Sequence, residues 1–400
     1  MKRKFWSMLS LLLVVSIMLG ACAPAAAPTA TPKPVVKPTA VPPTAVPAAP
    51  LKIAILGPLT GANATFGASN RDGAIMAFEE WNAKGGVLGR KIEWVLGDSQ
   101  CDPKAGADAA HKAIDEDKVK YICGAVCSSE SIPISQYANE KHVVQVSGTS
   151  TNPKVTVDDA GKVKPFTFRA CFIDPFQGTV MAKFALNNLK AKTAAVVLDV
   201  GNDYIKGLAE YFKQAFEASG GKVVVWESFV KEDTDFSAIL AKVKDANPDV
   251  FYIPAYYDKV NLIAAQAKQK GIKAQLLGGD GWDSADLDRA AADGGYFTNH
   301  YSPEDTRPIV VDFVARYKAK YGSVPDALAA LGYDAALALL EGIKAAGVDD
   351  PDKVAKAIET VKFEGISGMI TFDANHNPIK SAAILHVTGG AVKFETSVAP

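Results

Sequence analysis

From Leu51 onward the chain alternates between two hydrophobic patterns. Short runs rich in β-branched residues lie at Lys52 to Leu56, Ile92 to Leu96, Val119 to Cys123, Val143 to Val146, Ala194 to Leu198, Lys222 to Trp226, Val250 to Ile253 and Gln275 to Leu277. Between them stand longer stretches with helical spacing: Arg71 to Ala83, Ala105 to Ile114, Phe176 to Leu189, Tyr204 to Ala218, Phe236 to Ala246 and Lys259 to Lys270. Strand followed by helix, repeated, predicts α/β architecture with doubly wound parallel sheets covered on both faces. The pattern fills about 350 residues, more than one such sheet usually holds, and predicts two α/β lobes. Open parallel sheets take ligands beyond the carboxyl ends of their strands. Candidate sites are therefore Gly57 to Gly61, Cys127 to Ser129 and Ser147 to Pro153 in the first half, and Asp199 to Tyr204, Pro254 to Asp258 and Gly278 to Trp282 in the second.

The first fifty residues break the pattern. Lys2, Arg3 and Lys4 precede an apolar run from Leu9 to Leu19, which is too short to span a bilayer and ends in small residues, as a secretory signal does. The string Leu19-Gly20-Ala21-Cys22 resembles the lipobox of bacterial lipoproteins. That resemblance makes residues 1–21 a signal peptide and Cys22 the acylated N-terminus. Between Ala23 and Pro50 there are nine of the 23 prolines and no acidic residue. Proline removes an amide donor every few residues, so this stretch excludes a helix or central strand and predicts an extended tether or plain disorder over residues 22–50.

Charge excludes some functions. The 43 basic and 44 acidic residues give a net charge of −1, and removing the three basic residues of the signal makes it −4. That balance argues against a dedicated nucleic-acid binder, which needs a basic face. There is no Gly-x-Ser-x-Gly elbow, and the glycine-rich Gly85 to Lys91 stretch lacks P-loop spacing and reads as a helix stop and turn. The five histidines, His111, His142, His300, His376 and His386, have no ligand spacing and read as surface or packing residues rather than metal ligands. No cofactor is implied. Beyond Cys22, four cysteines (Cys101, Cys123, Cys127 and Cys171) contain no Cys-x-x-Cys pair. In an exported chain they favour structural disulfides over redox catalysis, with three pairings open, and staying buried and reduced is the alternative for Cys123 and Cys171.

Several stretches, in order, resemble the type I periplasmic solute-binding proteins of the leucine/isoleucine/valine transport class. They include Lys52 to Gly61, Asn82 to Gly86, Asp98 to Pro103, Cys127 to Ser129, Ser150 to Pro153, Phe176 to Gly178, Asn202 to Tyr204, Asp233 to Ser237, Tyr256-Tyr257, Gly278 to Trp282 and Phe363 to Gly365. The resemblance implies two lobes joined by three crossing hinge segments, with ligand in the cleft: residues 51–171 plus 304–376 in one lobe, 172–303 plus 377–400 in the other. It implies a non-enzymatic, membrane-anchored monomer, on the outer face of the cytoplasmic membrane or in the periplasm. This receptor would deliver a small, branched-chain or other aliphatic amino acid to an ABC permease. The same fold takes urea, short amides or aromatic acids in similar proteins, and a ligand sensor is the alternative from another class.

An amino acid brings a carboxylate and an ammonium, each costly to bury unpaired. Ser128 stands where a helix should begin, placing a hydroxyl and free amides at a positive helix end. The resemblance assigns the head group to Ser128 and Thr151, with main chain near Thr149; the residues alone read as an N-cap and a turn. It assigns the ammonium to Asp280, where many relatives carry glutamate, and closure over the ligand to Tyr204 and Tyr256. Phe66 and Trp282 are candidates to wall the side-chain pocket or simply to pack. The resemblance pairs Cys101 with Cys127 and leaves Cys123 and Cys171 without a clear counterpart, a second disulfide between them being the weaker expectation.

Overall fold

A computed structural model of the protein describes residues 49–400; the expected signal peptide, the expected lipidation residue Cys22 and nearly all of the expected tether lie outside them. The first sheet holds β1 (Leu51–Gly57), β2 (Ile92–Asp98), β3 (Tyr121–Gly124), β4 (Val144–Ser147) and β5 (Thr167–Arg169), ordered β2-β1-β3-β4-β5 and parallel throughout. Its helices are α1 (Ala64–Ala83), α2 (Pro103–His111) and α3 (Ser128–Glu140). Along β1, Ile53 and Ile55 enter one core while Ala54 and Leu56 enter the core on the opposite face. A strand buried on both faces has no polar side, which is why this run reads as continuously apolar.

The chain then leaves through residues 170–173 and builds α4 (Asp174–Asn187), β6 (Thr193–Asp199), α5 (Asp203–Ala218), β7 (Lys222–Phe229), α6 (Ser237–Ala246), β8 (Val250–Ile253), α7 (Tyr257–Gln269), β9 (Gln275–Gly278) and β10 (Tyr296–Asn299). Residues 300–307 lead back to α8 (Pro308–Tyr321), α9 (Ala327–Ala346), α10 (Pro351–Ile358) and the small hairpin β11 (Phe363–Gly365) and β12 (Gly368–Ile370). Residues 371–381 return the chain for β13 (Ala382–Thr388) and β14 (Ala391–Val398). The second sheet is ordered β14-β13-β10-β9-β8-β6-β7. Three segments thus connect the two sheets.

Two expectations need correction. The second sheet is not wholly parallel: β13 and β14 run antiparallel at its edge, joined at Gly389 and Gly390, both with positive φ, as a two-residue hairpin turn requires. Helix α1 begins at Ala64, seven residues before the expected Arg71. Gly67, Ser69 and Asn70 are poor helix formers, so the sequence hides this turn. Tertiary bonds support it: Ser69 Oγ donates to Asp326 at 2.7 Å and Asn70 Nδ2 to the Leu328 carbonyl at 3.2 Å. Helix α9 buries 15 of its 20 residues, which fits its near-uniform apolar sequence. Its first turn reaches the space between the sheets.

Candidate ligand-binding site

A small cavity lies between the two sheets. Of the residues predicted for binding, Phe66, Ser128, Thr149, Tyr204, Tyr256 and Asp280 line it. Thr151 and Trp282 do not. The Thr151 hydroxyl is buried beside Asp174 and has no hydrogen-bond partner among the described residues. Trp282 is fully buried behind the site, donating from Nε1 to the Ile253 carbonyl at 2.9 Å and packing near Phe297. Its ring lies so close to Gly278 that a Cβ there would fall 2.1 Å from it, so glycine at the end of β9 makes room for the indole.

The donor side comes from the first sheet. Ser128 opens α3 and is almost wholly buried; its Oγ accepts the Asn152 amide at 3.2 Å, which leaves the hydroxyl proton free to donate. Thr149 spends its own proton on the Val126 carbonyl at 2.8 Å. Beneath them, Glu130 accepts the amides of Val126 and Cys127 at 2.9 and 2.8 Å, and burial pushes its carboxyl up to about 7. Cys101 and Cys127 are bridged, with Cα atoms 5.3 Å apart, tying the loop after β2 to the start of α3. Cys123 and Cys171 are free and buried, and burial pushes both thiols up to about 12.

The acceptor side comes from the second sheet. Asp280 follows β9 across Gly279, where a Cβ would lie 2.6 Å from the Tyr204 hydroxyl and 2.8 Å from Gln177 Oε1. Asp280 Oδ1 accepts from Tyr204 at 2.7 Å and from Gln177 Nε2 at 2.9 Å, and Oδ2 is 2.9 Å from His300 Nε2. Gln177 Oε1 in turn accepts the Asp280 amide at 3.0 Å. Tyr204 and Tyr256 stack with centroids 5.1 Å apart, and burial raises both phenols well above their usual range, so they remain neutral donors. Apolar wall is supplied by Phe66, Val126, Ala327, Leu328 and Leu331. The last three come from α9, and Gln177, Asn299 and His300 were likewise absent from the residues predicted for binding. His300 is a buried residue of the site rather than a surface one.

The two halves touch around the cavity. Phe66 meets Tyr256 edge to face at 5.5 Å, Asn63 Nδ2 donates to Asp258 at 3.0 Å, the Tyr257 hydroxyl donates to the Ala62 carbonyl at 2.7 Å, and Thr65 bonds Asp286. A pocket enclosed by two α/β sheets, with donors from one and a held carboxylate from the other, is the arrangement of a binding protein that wraps its solute. The family model described as periplasmic binding protein matches residues 50–391, and the chain belongs to that family, the solute-binding proteins of ABC transporters, which are not enzymes. Among curated relatives, the leucine-, isoleucine-, valine-, threonine- and alanine-binding protein of Pseudomonas aeruginosa is 33% identical over 81% of this chain and 86% of its own. Among solved structures, a leucine-binding protein of Thermotoga maritima is 42% identical with a TM-score of 0.83, covering 88% of this chain and 99% of its own. LivJ of Streptococcus pneumoniae, a branched-chain amino acid transporter substrate-binding protein solved with isoleucine, is 29% identical with a TM-score of 0.80, covering 88% of this chain and 100% of its own. A benzoate complex from R. palustris, at 23% identity and a TM-score of 0.79, shares the fold and covers 88% of this chain and 98% of its own.

Proposed function

We propose that the protein is the extracytoplasmic receptor of an ABC importer and captures an aliphatic α-amino acid by closing its two lobes. The observation that carries this reading is the opposition of Ser128, at the start of α3, to the Asp280 carboxylate across one cavity walled by Phe66 and α9. In this reading the ligand carboxylate takes the Ser128 hydroxyl, α3 amides and main chain at Thr149. The ammonium takes Asp280, beside Tyr204, and the side chain runs along Phe66, Leu328 and Leu331. The aliphatic ligands of the relatives support this choice. A ligand that touches both lobes only when they are closed raises the closed population by its differential affinity.

The lobes of this reading are residues 51–171 with 304–376 and residues 172–303 with 377–400, pivoting on the three connecting segments. Acylated Cys22 holds the chain at the membrane, residues 23–50 act as tether, and a Cys101–Cys127 disulfide braces the loop into Ser128 in an oxidising compartment. The receptor works as a monomer. The test is a thermal-shift panel on the full chain with the twenty amino acids, urea, short amides and aromatic acids. A true ligand at 100 times its Kd adds about 2.7 kcal/mol of stability. Leucine, isoleucine or valine should raise Tm most; a panel in which only an amide or aromatic acid does so overturns the reading.

A further inference from the structure

We propose that His300 is the positioning residue for the Asp280 carboxylate, a neutral imidazole whose Nε2 proton aims that group and whose charge state decides whether the cleft accepts a cationic head group. This rests on the amino-acid reading above.

A carboxylate offers about four lone-pair positions. In Asp280 two on Oδ1 are taken by Tyr204 and Gln177, and one on Oδ2 by His300. The single position left for a ligand ammonium is therefore on Oδ2, shared with the imidazole. His300 has no freedom to turn away: its side chain is 1% exposed, and its ring stacks on Phe172 with centroids 3.6 Å apart.

Its other nitrogen fixes the protonation state. Nδ1 is buried and has no hydrogen-bond partner among the described residues. With the proton on Nε2, Nδ1 is an unused lone pair. A second proton would create a buried donor with no acceptor, which carries the full desolvation penalty. Burial lowers the pKa of His300, Asp280 pulls it up, and Lys380 on the third connecting segment lowers it further. Asp174, Cys171, Asp283, Tyr252 and Tyr256 are further ionisable groups that interact with Asp280, with Tyr204 bonded to it.

The neutral ring leaves the His300–Asp280 pair with one negative charge, complementary to an ammonium. An imidazolium would cancel it. The ring also sits at the second connecting segment. The His300 amide bonds Asn299 Oδ1 at 2.9 Å, Asn299 Nδ2 donates to Asp283 Oδ2 at 2.8 Å, and that oxygen accepts the first amide of α9, Ala327, at 2.8 Å. The acid that receives the ligand is thereby joined through His300 to the opposite half of the molecule.

The test is calorimetric titration of the full chain with L-leucine across pH, for wild type and His300→Gln, whose amide can donate to Asp280 but takes no proton. Because binding then excludes one proton, wild-type Kd should rise about tenfold per pH unit below the imidazole pKa, itself below 6.5. His300→Gln should lack that dependence while binding at neutral pH. Parallel profiles in the two proteins overturn the proposal. Nitrogen NMR of the wild-type imidazole gives an answer that does not require the variant to fold: a neutral ring protonated on Nε2 at neutral pH supports the proposal, and a charged or Nδ1-protonated ring overturns it. Wild type that gives no heat with leucine overturns the amino-acid reading instead, and the ring spectrum still decides the state of His300.

Discussion

Tyr204 donates its hydroxyl to Asp280 Oδ1 at 2.7 Å, and the same oxygen of Tyr204 accepts the Gly281 amide at 3.1 Å. One phenol therefore holds both the acid and the turn that carries it. Asp280→Asn removes the charge while keeping the shape, leaving a ligand ammonium buried without its counter-charge. Loss of a buried partner costs about 3–5 kcal/mol, so leucine Kd should rise by roughly 100-fold or more. Tyr204→Phe loses both of the phenol's hydrogen bonds, about 1 kcal/mol each, and should weaken binding by about five- to thirtyfold. Calorimetry checks both; wild-type affinity in Asp280→Asn would remove that residue from the site.

Trp282 and Phe66 separate packing from binding. Trp282→Phe deletes the indole bond to the Ile253 carbonyl behind the cavity, so it should lower stability by about 1–2 kcal/mol while leaving leucine Kd within about twofold. Phe66→Ala opens the cavity wall and should weaken leucine binding about tenfold or more, the loss of apolar area against the ligand. Urea denaturation and titration of each variant give the comparison, and a reversed pattern would place Trp282 against the ligand.

How much of this was legible in the sequence follows from where each residue sits. Ser128, Tyr204, Tyr256 and Asp280 directly follow strands of parallel sheets, so the strand pattern alone marked their neighbourhoods, and the family resemblance supplied roles. Leu328 and Leu331 lie on a helix apolar on nearly every side, and nothing local distinguishes the turn that faces the cleft from the turns that face the core. His300 stands alone without a spacing motif; its meaning comes from β10, a four-residue strand that the hydrophobic pattern did not separate from its surroundings. The β13–β14 hairpin does carry a signal, Gly389-Gly390 between two apolar runs, but two strands in succession fall outside the strand and helix alternation that marks parallel sheet. Thr151 and Trp282 sit one residue or two from cleft positions but point into packed interior, a difference sequence adjacency does not encode.

Contacts across the cleft set the closing equilibrium. Asn63→Ala removes the hydrogen bond to Asp258, part of the direct seam between the halves. One bond of about 0.5–1.5 kcal/mol lost only from the closed state should reduce ligand affinity about three- to tenfold. Small-angle scattering should also report a larger radius of gyration for the unliganded variant. An unchanged Kd and radius would mean that this contact does not bias closure.

Asp174 gives the apo protein a pH signature. It is fully buried at the start of α4, neither carboxylate oxygen has a donor among the described residues, and burial pushes its carboxyl up to about 8. The unfolded chain releases this proton near 3.8, so between those values the folded state binds more protons and stability falls as pH rises. The slope from one group is at most about 1.4 kcal/mol per pH unit. Asp174→Asn cannot ionise, so its stability relative to wild type should improve from about pH 5 to about pH 8 in urea titrations. A difference that does not change with pH would contradict this state of Asp174.

In the proposed function the cleft recognises a zwitterion, with Asp280 as the partner of its ammonium. Calorimetric titration of wild-type protein with L-leucine and with 4-methylpentanoate, the same molecule without its amino group, tests it most directly. Leucine should bind at least about 100-fold more tightly, because the acid meets Asp280 with no counter-charge. Equal or tighter binding of 4-methylpentanoate would contradict it.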